Sequence, residues 1–296
     1  MNILKSLQSG ILHKTFDYNG KSFFVISLLW GFQLDSGHPV LEQELWRTLG
    51  PTLENGDMLD AGMPKNRGEF LAFGSFFSPT GAKVQGGRVS ISLGALHKEL
   101  YVFGDRKWGS AFETSLGITE PEPATEIPIT YANAFGGAGY EKNPIGKGYV
   151  TVQSESGTYH PLPNIQYPGS VIGSPNDTPE PASFSRIDMT WIPRAAKAGT
   201  YDDQYIAKRM PGLPDDIEWA FFNEAAEDQW VQKYFKGDEA FEIINMSPYH
   251  PVLKGKLPGI YARCFVNQEK DHEIEFKEIS CKLDTVLLYQ IGRAHV

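Results

Sequence analysis

Cysteine is scarce in this sequence, and its two cysteines do not have the spacing of metal ligands. The two cysteines, Cys264 and Cys281, lie in apolar strand-like runs rather than in a CxxC pair, which argues against a disulfide framework and a zinc site. No apolar stretch reaches the 18 or more residues of a membrane helix. The start, Met1 to Gly10, lacks the regions of a signal peptide. We therefore expect a cytoplasmic protein without membrane insertion.

Positive charge is also in deficit. Lys and Arg number 27 against 36 Asp and Glu, which gives a formal net charge of −9 and a pI of about 5.3. A chain with this balance offers no broad basic surface to neutralise a phosphate backbone. Nucleic acid is therefore not an expected partner, whereas a basic protein surface could dock on a mildly acidic one.

The motifs of several common chemistries are missing as well. The glycine-rich stretch Phe135–Gly148 fails as a phosphate-binding loop, because Glu141 and Gly148 stand where a P-loop needs Gly and Ser or Thr. The seven histidines are scattered without an i, i+4 pair, and no GxSxG elbow is present. We expect no cofactor, no metal and no catalytic residues, and therefore a protein that is not an enzyme.

Apolar and aromatic residues are abundant and fall in strand-like patterns. Hydrophobic residues make up 41% of the chain, with 18 Phe, 13 Tyr and 6 Trp. Val89, Ile91 and Leu93 alternate with serines at the period of a half-buried strand, and a turn at Gly94 makes Arg88–Phe103 a predicted hairpin. Further strands are predicted at Phe23–Trp30, Glu69–Phe77, Glu239–Ile244, Ile260–Val266, Glu273–Ile279 and Thr285–Tyr289.

The middle of the chain is rich in proline and glycine. Ten of the 20 prolines lie between Pro121 and Pro181, a density that disfavours helix interiors and central strands. The aromatic residues of the same stretch indicate an ordered, loop-rich excursion rather than a linker. We expect the strands before residue 110 and after residue 238 to share one sheet system, with this middle segment packed over it.

One segment has the pattern of an amphipathic helix. Asp215 or Asp216 can cap it, and Gly237 ends it. Its apolar stripe, at three- and four-residue steps, comprises Trp219, Phe222, Ala226, Trp230 and Tyr234. The sequence therefore predicts a β-rich α+β fold with antiparallel, sandwich-like sheets, a long Pro/Gly-rich loop excursion and one main helix near 215–235.

The expected organisation is a single β-rich domain over residues 1–290, with a loop-rich insertion at about 115–212. The last six residues, 291–296, read IGRAHV, which is the translation in one frame of a common sequencing adaptor. We expect this tail to be artefactual and the natural reading frame to be truncated near Tyr289 or Gln290.

Two groups of residues in the middle segment are candidates for partner contact. In Trp191–Tyr205, an arginine-to-carboxylate bond would hold a rigid turn, and we expect Arg194 and Asp202 to form a buried or half-buried ion pair. Trp, Tyr and Arg also dominate protein interfaces, and loop tyrosines can either contact a partner or pin the loops to the sheet. The candidates are Tyr140, Tyr149, Tyr159, Tyr167, Trp191, Arg194, Tyr201 and Asp202.

Short motifs occur in order through most of the chain. They are GEFLAFGSFFSPTG (Gly68–Gly81), LYVFGDRKW (Leu100–Trp108), IPITYANAFGG (Ile127–Gly137), NPIGKGY (Asn143–Tyr149), LPNI (Leu162–Ile165), WIPRAAKAGTYD (Trp191–Asp202), LPDDIEWAFFNEAAEDQ (Leu213–Gln229) and LDTVLLY (Leu283–Tyr289). At these motifs the chain resembles a bacterial family, domain-of-unknown-function family 2169, which is found beside type VI secretion genes. The resemblance implies an adaptor or chaperone that links a cognate effector to the spike protein. It brings no catalytic residues with it.

Two other functions stay open at this point. One is a hydrolase, carbohydrate-active for example, whose carboxylates converge only in the fold; a deep cleft with two facing carboxylates would favour it. The acids that suggest it are Asp215, Asp216, Glu218, Glu224, Glu227 and Asp228. We place these acids at the start and on the solvated face of the predicted helix instead. The other function is a structural spike or carbohydrate-binding component with a flat aromatic platform.

Overall fold

The structure is a computed structural model that describes residues 10–34, 36, 38–40, 63–109, 117–154, 157–260, 262–270 and 273–289. It is β-rich, with 39% strand and 10% helix, which confirms the predicted class. The expected artefactual tail at 291–296 lies outside the described residues.

The strands are short except in three hairpins. Those of the first half are β1 (Gly10–Tyr18), β2 (Lys21–Leu29), β3 (Gly31–Phe32), β4 (Pro39–Val40), β5 (Glu69–Phe73), β6 (Ser75–Phe77), β7 (Gly86–Leu93), β8 (Leu96–Phe103), β9 (Lys107–Trp108) and β10 (Glu126–Pro128). Those of the second half are β11 (Phe135–Gly136), β12 (Lys147–Gly148), β13 (Val152–Ser154), β14 (Gly157–Pro161), β15 (Ile165–Gln166), β16 (Ala240–Ile244), β17 (Val252–Lys256), β18 (Arg263–Lys270), β19 (Glu273–Ser280) and β20 (Thr285–Tyr289).

The largest sheet has five antiparallel strands in the order β15-β8-β7-β16-β17. β7 and β8 form the predicted hairpin, with Leu93 opposite Leu96 around the turn at Gly94. β16 pairs with β7 and places Ile243 opposite Ile91. The sheet thus joins strands from before residue 110 and after residue 238, which confirms that prediction.

One face of this sheet is buried in the main core. Alternate residues of a strand point to opposite faces, so the period-two pattern of the sequence places one set inside. The fully buried apolar residues of the sheet are Val89, Ile91, Leu93, Leu100, Val102, Ile165 and Ile243. β5 lies against the same core and pairs in parallel with β20, so that Phe70 lies opposite Val286.

The middle segment is ordered and loop-rich, as the sequence predicts. It contributes the short strands β10 to β15, and β15 joins the large sheet by pairing with β8. Its apolar side chains fill two smaller clusters, one around Tyr131 and Trp191 and the other around Phe135 and Leu162. The segment is therefore a packed part of the fold and not a linker.

The predicted main helix near 215–235 is wrong. The segment contains two 3₁₀ turns, Trp219–Phe222 and Glu227–Gln229, which end in extended residues such as Asn223 and Trp230. The α-helices among the described residues are short, at Ile192–Ala195 and Asp203–Lys208, and the remaining 3₁₀ turns are Tyr131–Asn133 and Pro168–Ser170.

Tertiary hydrogen bonds replace the helical ladder in this segment. The Ile187 amide donates to the Glu224 carbonyl at 2.7 Å, and the Val231 amide donates to the Gly68 carbonyl at 2.8 Å. An α-helix would need these same groups for its own bonds from residue i to i−4. The helical arrangement and the observed one therefore exclude each other.

Two further hairpins form sheets of their own. In β1–β2, Phe16 stacks on Phe23 with 5.2 Å between ring centroids and lies 6.1 Å from the ring of Trp219. β18 and β19 pair only with each other among the described strands. Within the described part of the chain, no helix combines the length and the apolar character that crossing a bilayer requires.

Candidate functional site

A glycine-rich loop at residues 135–150, here called the aromatic loop, is built around one buried asparagine. Asn143 is fully buried, and its side-chain amide donates to the carbonyls of Tyr131 at 2.8 Å and Phe135 at 2.9 Å. Its own carbonyl accepts the amides of Gly137 at 3.0 Å and Gly146 at 3.3 Å. The side chain and the carbonyl of Asn143 therefore fix three points of the loop and join the loop to Tyr131.

The glycines of this loop are required by close packing. A Cβ on Gly136 would lie 2.1 Å from the Asn143 carbonyl oxygen, and one on Gly146 would lie 2.4 Å from the Asn143 amide nitrogen. Neither distance is tolerated by real Cβ atoms. The glycine pattern thus arises from the approach of the backbone to Asn143, in agreement with the failure of the phosphate-loop spacing.

The aromatic loop presents two tyrosines side by side. The rings of Tyr140 and Tyr149 are 5.1 Å apart, and both lie edge-on to the buried ring of Phe135, at 5.2 and 6.4 Å. Tyr149 is 45% exposed, and partial burial raises the pKa of Tyr140. The loop therefore offers a pre-positioned aromatic surface on a rigid base.

Three other predicted contact residues lie elsewhere. The Tyr167 hydroxyl donates to Asp228 at 2.9 Å, and its ring is 5.2 Å from the ammonium of buried Lys98. Trp191 is buried edge-on against Tyr131, with centroids 5.4 Å apart. These two pin the middle segment to the core. Tyr159 belongs to β14, and its side chain lies outside the described residues.

The predicted ion pair between Arg194 and Asp202 is not formed. The buried Arg194 guanidinium donates to the carbonyls of Ile187 at 2.9 Å and Phe221 at 3.0 Å. Asp202 is exposed and instead caps the helix Asp203–Lys208 by accepting the Tyr205 amide at 2.9 Å. The arginine therefore holds the Leu213–Gln229 motif through Phe221, in the 3₁₀ turn Trp219–Phe222, because a buried backbone carbonyl needs a hydrogen-bond donor.

Tyr201 is the most exposed of the predicted contact tyrosines with a described side chain, at 54%. Its ring meets Tyr205 edge-on with centroids 4.7 Å apart. No ring contact joins Tyr201 to the described residues of the aromatic loop. Of the eight candidates, Tyr140 and Tyr149 form one surface and Tyr201 a separate one.

A buried charge network, which the sequence pattern did not reveal, lies beneath the Leu213–Gln229 motif. The Lys65 ammonium lies 2.5 Å from Glu69 and 3.4 Å from Glu224, and both carboxylates are completely buried. Glu69 also accepts the Asn223 side chain at 3.1 Å and the Ala225 amide at 3.0 Å. The interpretation of Glu224 as a residue of a solvated helix face is therefore wrong.

The electrostatics of this network favour the charged form of Lys65. Burial alone disfavours the Lys65 ammonium, but the carboxylates of Glu69 and Glu224 outweigh it and raise the pKa of Lys65 above its usual value. Burial raises the pKa of the nearby Asp284 carboxyl, which bonds to Thr285 at 3.1 Å. Lys65 also donates to the Thr285 hydroxyl at 3.0 Å. The network thus ties β5, the Leu213–Gln229 motif and β20 together.

A second buried lysine gives a pH-dependent prediction. Burial lowers the pKa of Lys98 from 10.5 to about 8, against the attraction of Asp228. Below pH 8 the lysine is charged in the folded and unfolded states, and its burial penalty is fully present. From pH 8 to 10.5 the unfolded state binds more protons, so stability should rise with pH. We expect about 2 kcal/mol of this gain by pH 10.

The measurement is the urea midpoint at pH 8 and pH 10 for the wild type and for Lys98→Met. The difference between the two proteins isolates Lys98, since the other titrating groups are common to both. The variant should lack the upward slope. Burial raises the pKa of Tyr131 and Tyr167, which removes stability above pH 10 and sets the upper limit of the comparison. Equal slopes in both proteins would contradict the assignment.

The fold and the aromatic loop define a β-rich protein in which a loop-rich middle segment holds the exposed ring of Tyr149 beside the half-buried ring of Tyr140. The chain matches the family described as "Uncharacterized protein conserved in bacteria (DUF2169)" over residues 19–295, and it belongs to that family. No curated protein and no solved structure matches the chain. Among the side chains in the described ranges, no group of three or more His, Cys, Asp or Glu is placed to hold a metal ion.

Proposed function

We propose that this protein is a cytoplasmic adaptor of the type VI secretion machinery, one that links a cognate effector to the spike protein. The family resemblance supplies the biological setting. The observation that supports binding is the Tyr140–Tyr149 pair, held on a loop that Asn143 fixes at several points. The adaptor acts by binding alone, without turnover.

The aromatic loop suits protein recognition for two physical reasons. Tyrosine combines a large apolar ring with a hydroxyl, and it is enriched among the residues that contribute most to protein interfaces. A loop that is already ordered loses little conformational entropy when a partner binds. A complex that persists before secretion would bury at least about 1,000 Å² in total, so the two rings would form the centre of a wider contact.

The hydrolase alternative receives less support from the described residues. Glu69 and Glu224 do come together around Lys65, and they are the kind of carboxylate pair that a glycosidase uses. Both are completely buried, with the lysine between them. A pair that is sealed and neutralised in this way holds elements of the fold together and has no access to a substrate.

Co-purification tests the binding surface. The full-length natural gene is co-expressed with its neighbouring effector and spike genes, and Tyr140→Ser/Tyr149→Ser is compared with Tyr249→Ser. Tyr249 is 66% exposed and lies in the turn between β16 and β17, so it controls for the loss of an exposed tyrosine. We expect the double variant to lose the partner while it remains folded, and the control to retain it.

Secretion tests the adaptor role itself. In a strain that lacks this gene, the cognate effector should no longer reach the medium, while the other effectors of the apparatus are still secreted. Normal secretion of the cognate effector would overturn the proposal. Partner binding that survives in the double tyrosine variant would leave the adaptor role standing but move the contact away from the aromatic loop.

A further inference from the structure

The β18–β19 hairpin pairs with no other strand among the described residues. It is a two-stranded sheet of its own, and residues 275–280 of β19 are all exposed. Two-stranded hairpins are marginally stable in water, and three or more strands with an apolar face are needed for independent stability. The hairpin therefore has the geometry of half a sheet.

One face of the hairpin carries an exposed aromatic pair. Phe276 is 72% exposed and Phe265 is 49% exposed. Phe265 lies opposite Glu278, and Phe276 lies opposite Asn267, so the two rings are diagonal neighbours on the same face. Diagonal positions are within reach of aromatic side chains. The apolar stripe runs to β19, whose outer edge pairs with no described strand.

The charges of β19 are self-complementary for antiparallel pairing with the β19 strand of a second chain. Arg263 donates from Nε and Nη2 to the two carboxylate oxygens of Glu278, at 2.8 and 3.0 Å, so Glu278 is already paired within the chain. Glu275 and Lys277, two positions apart on the opposite face, form no ion pair with any described residue. If β19 pairs antiparallel with a second β19 and Phe276 lies opposite Phe276, then Glu275 lies opposite Lys277 twice. The register that places the two Phe276 rings opposite each other therefore also places each Glu275 opposite a Lys277.

From this juxtaposition we propose that β19 is a self-association surface, through which two copies of the chain join edge to edge into a four-stranded sheet. The occupant of the edge is a second copy of this chain. A two-fold arrangement closes on itself, so each favourable contact occurs twice and no open edge of β19 remains. The four rings, two from each copy, would form one continuous stripe. The inference does not depend on the adaptor role.

Charge reversal at the edge provides the test, with sedimentation equilibrium of the full chain across the micromolar range. The wild type should be a dimer in equilibrium with monomer. Lys277→Glu places glutamates opposite each other twice and should raise the dimer dissociation constant at least about tenfold. Glu275→Lys/Lys277→Glu restores opposite charges and should return the dissociation constant close to that of the wild type.

The matched control is Lys256→Glu, which makes the same charge change on the exposed edge strand β17 of the large sheet. It should leave the dissociation constant unchanged. Two results overturn the proposal: a wild type that is monomeric throughout, or a dimer that Lys277→Glu does not weaken. Because all three substitutions are at exposed positions, unchanged melting temperatures will show that the comparison concerns association and not folding.

Discussion

Replacing Lys65 by alanine is expected to lower the free energy of unfolding by about 3 to 5 kcal/mol. The substitution leaves the carboxylates of Glu69 and Glu224, both completely buried, without the ammonium that lies 2.5 and 3.4 Å from them. The Arg186 guanidinium, 3.8 Å from Glu224, stays in place, but Glu69 loses its ammonium, and two buried like charges disfavour the folded state. Urea unfolding followed by tryptophan fluorescence measures the loss.

An exposed lysine gives the control for this experiment. Lys142 pairs with Glu180, and their side chains are 43% and 64% exposed, so Lys142→Ala should cost less than about 1 kcal/mol. Lys65→Met/Glu69→Gln should recover part of the loss, since it removes one buried charge of each sign. Equal stability of Lys65→Ala and Lys142→Ala would show that the network does not hold the fold.

Replacing Arg194 by alanine is expected to cost about 3 kcal/mol, because two carbonyls in a buried site lose a charged donor. Those carbonyls belong to Ile187 and Phe221. Arg194→Lys should recover little, since an ammonium cannot reproduce the fixed fork of a guanidinium. Thermal and urea unfolding of both variants provide the measurement. A melting temperature like that of the wild type would contradict this role.

A double-variant comparison separates the observed partners of Arg194 from the predicted one. Asp202→Ala removes only a helix cap and should cost about 1 kcal/mol. Because Arg194 and Asp202 do not contact each other, their combined effect should equal the sum of the single effects within about 0.5 kcal/mol. A clear departure from additivity would restore the ion pair that the sequence predicted.

The candidate site was predictable only in part. The setting of Tyr140 and Tyr149 among Gly and Pro predicts that both are contact residues, and their rings do lie together. The sequence does not reveal the role of Asn143, because nothing in the stretch NPIGKG indicates that its amide donates to the carbonyls of Tyr131 and Phe135. Trp191 and Arg194 have the composition of an interface, yet both are buried. Residue type indicates that a side chain makes strong contacts, but not whether the contacts lie inside or outside the protein.

The sequence by itself determined the β-rich class, the Arg88–Phe103 hairpin and the sheet shared by its two ends. Period-two alternation needs only local geometry to separate a buried face from an exposed one. The conformation of Leu213–Gln229 was decided by tertiary structure. Its spacing favours a helix, but Glu69 binds Asn223 and the backbone of Ala225 from more than 150 positions away. The spacing of apolar residues predicts which side chains face the core. It does not predict which distant residues form hydrogen bonds with the backbone of a segment, because those contacts depend on the tertiary structure.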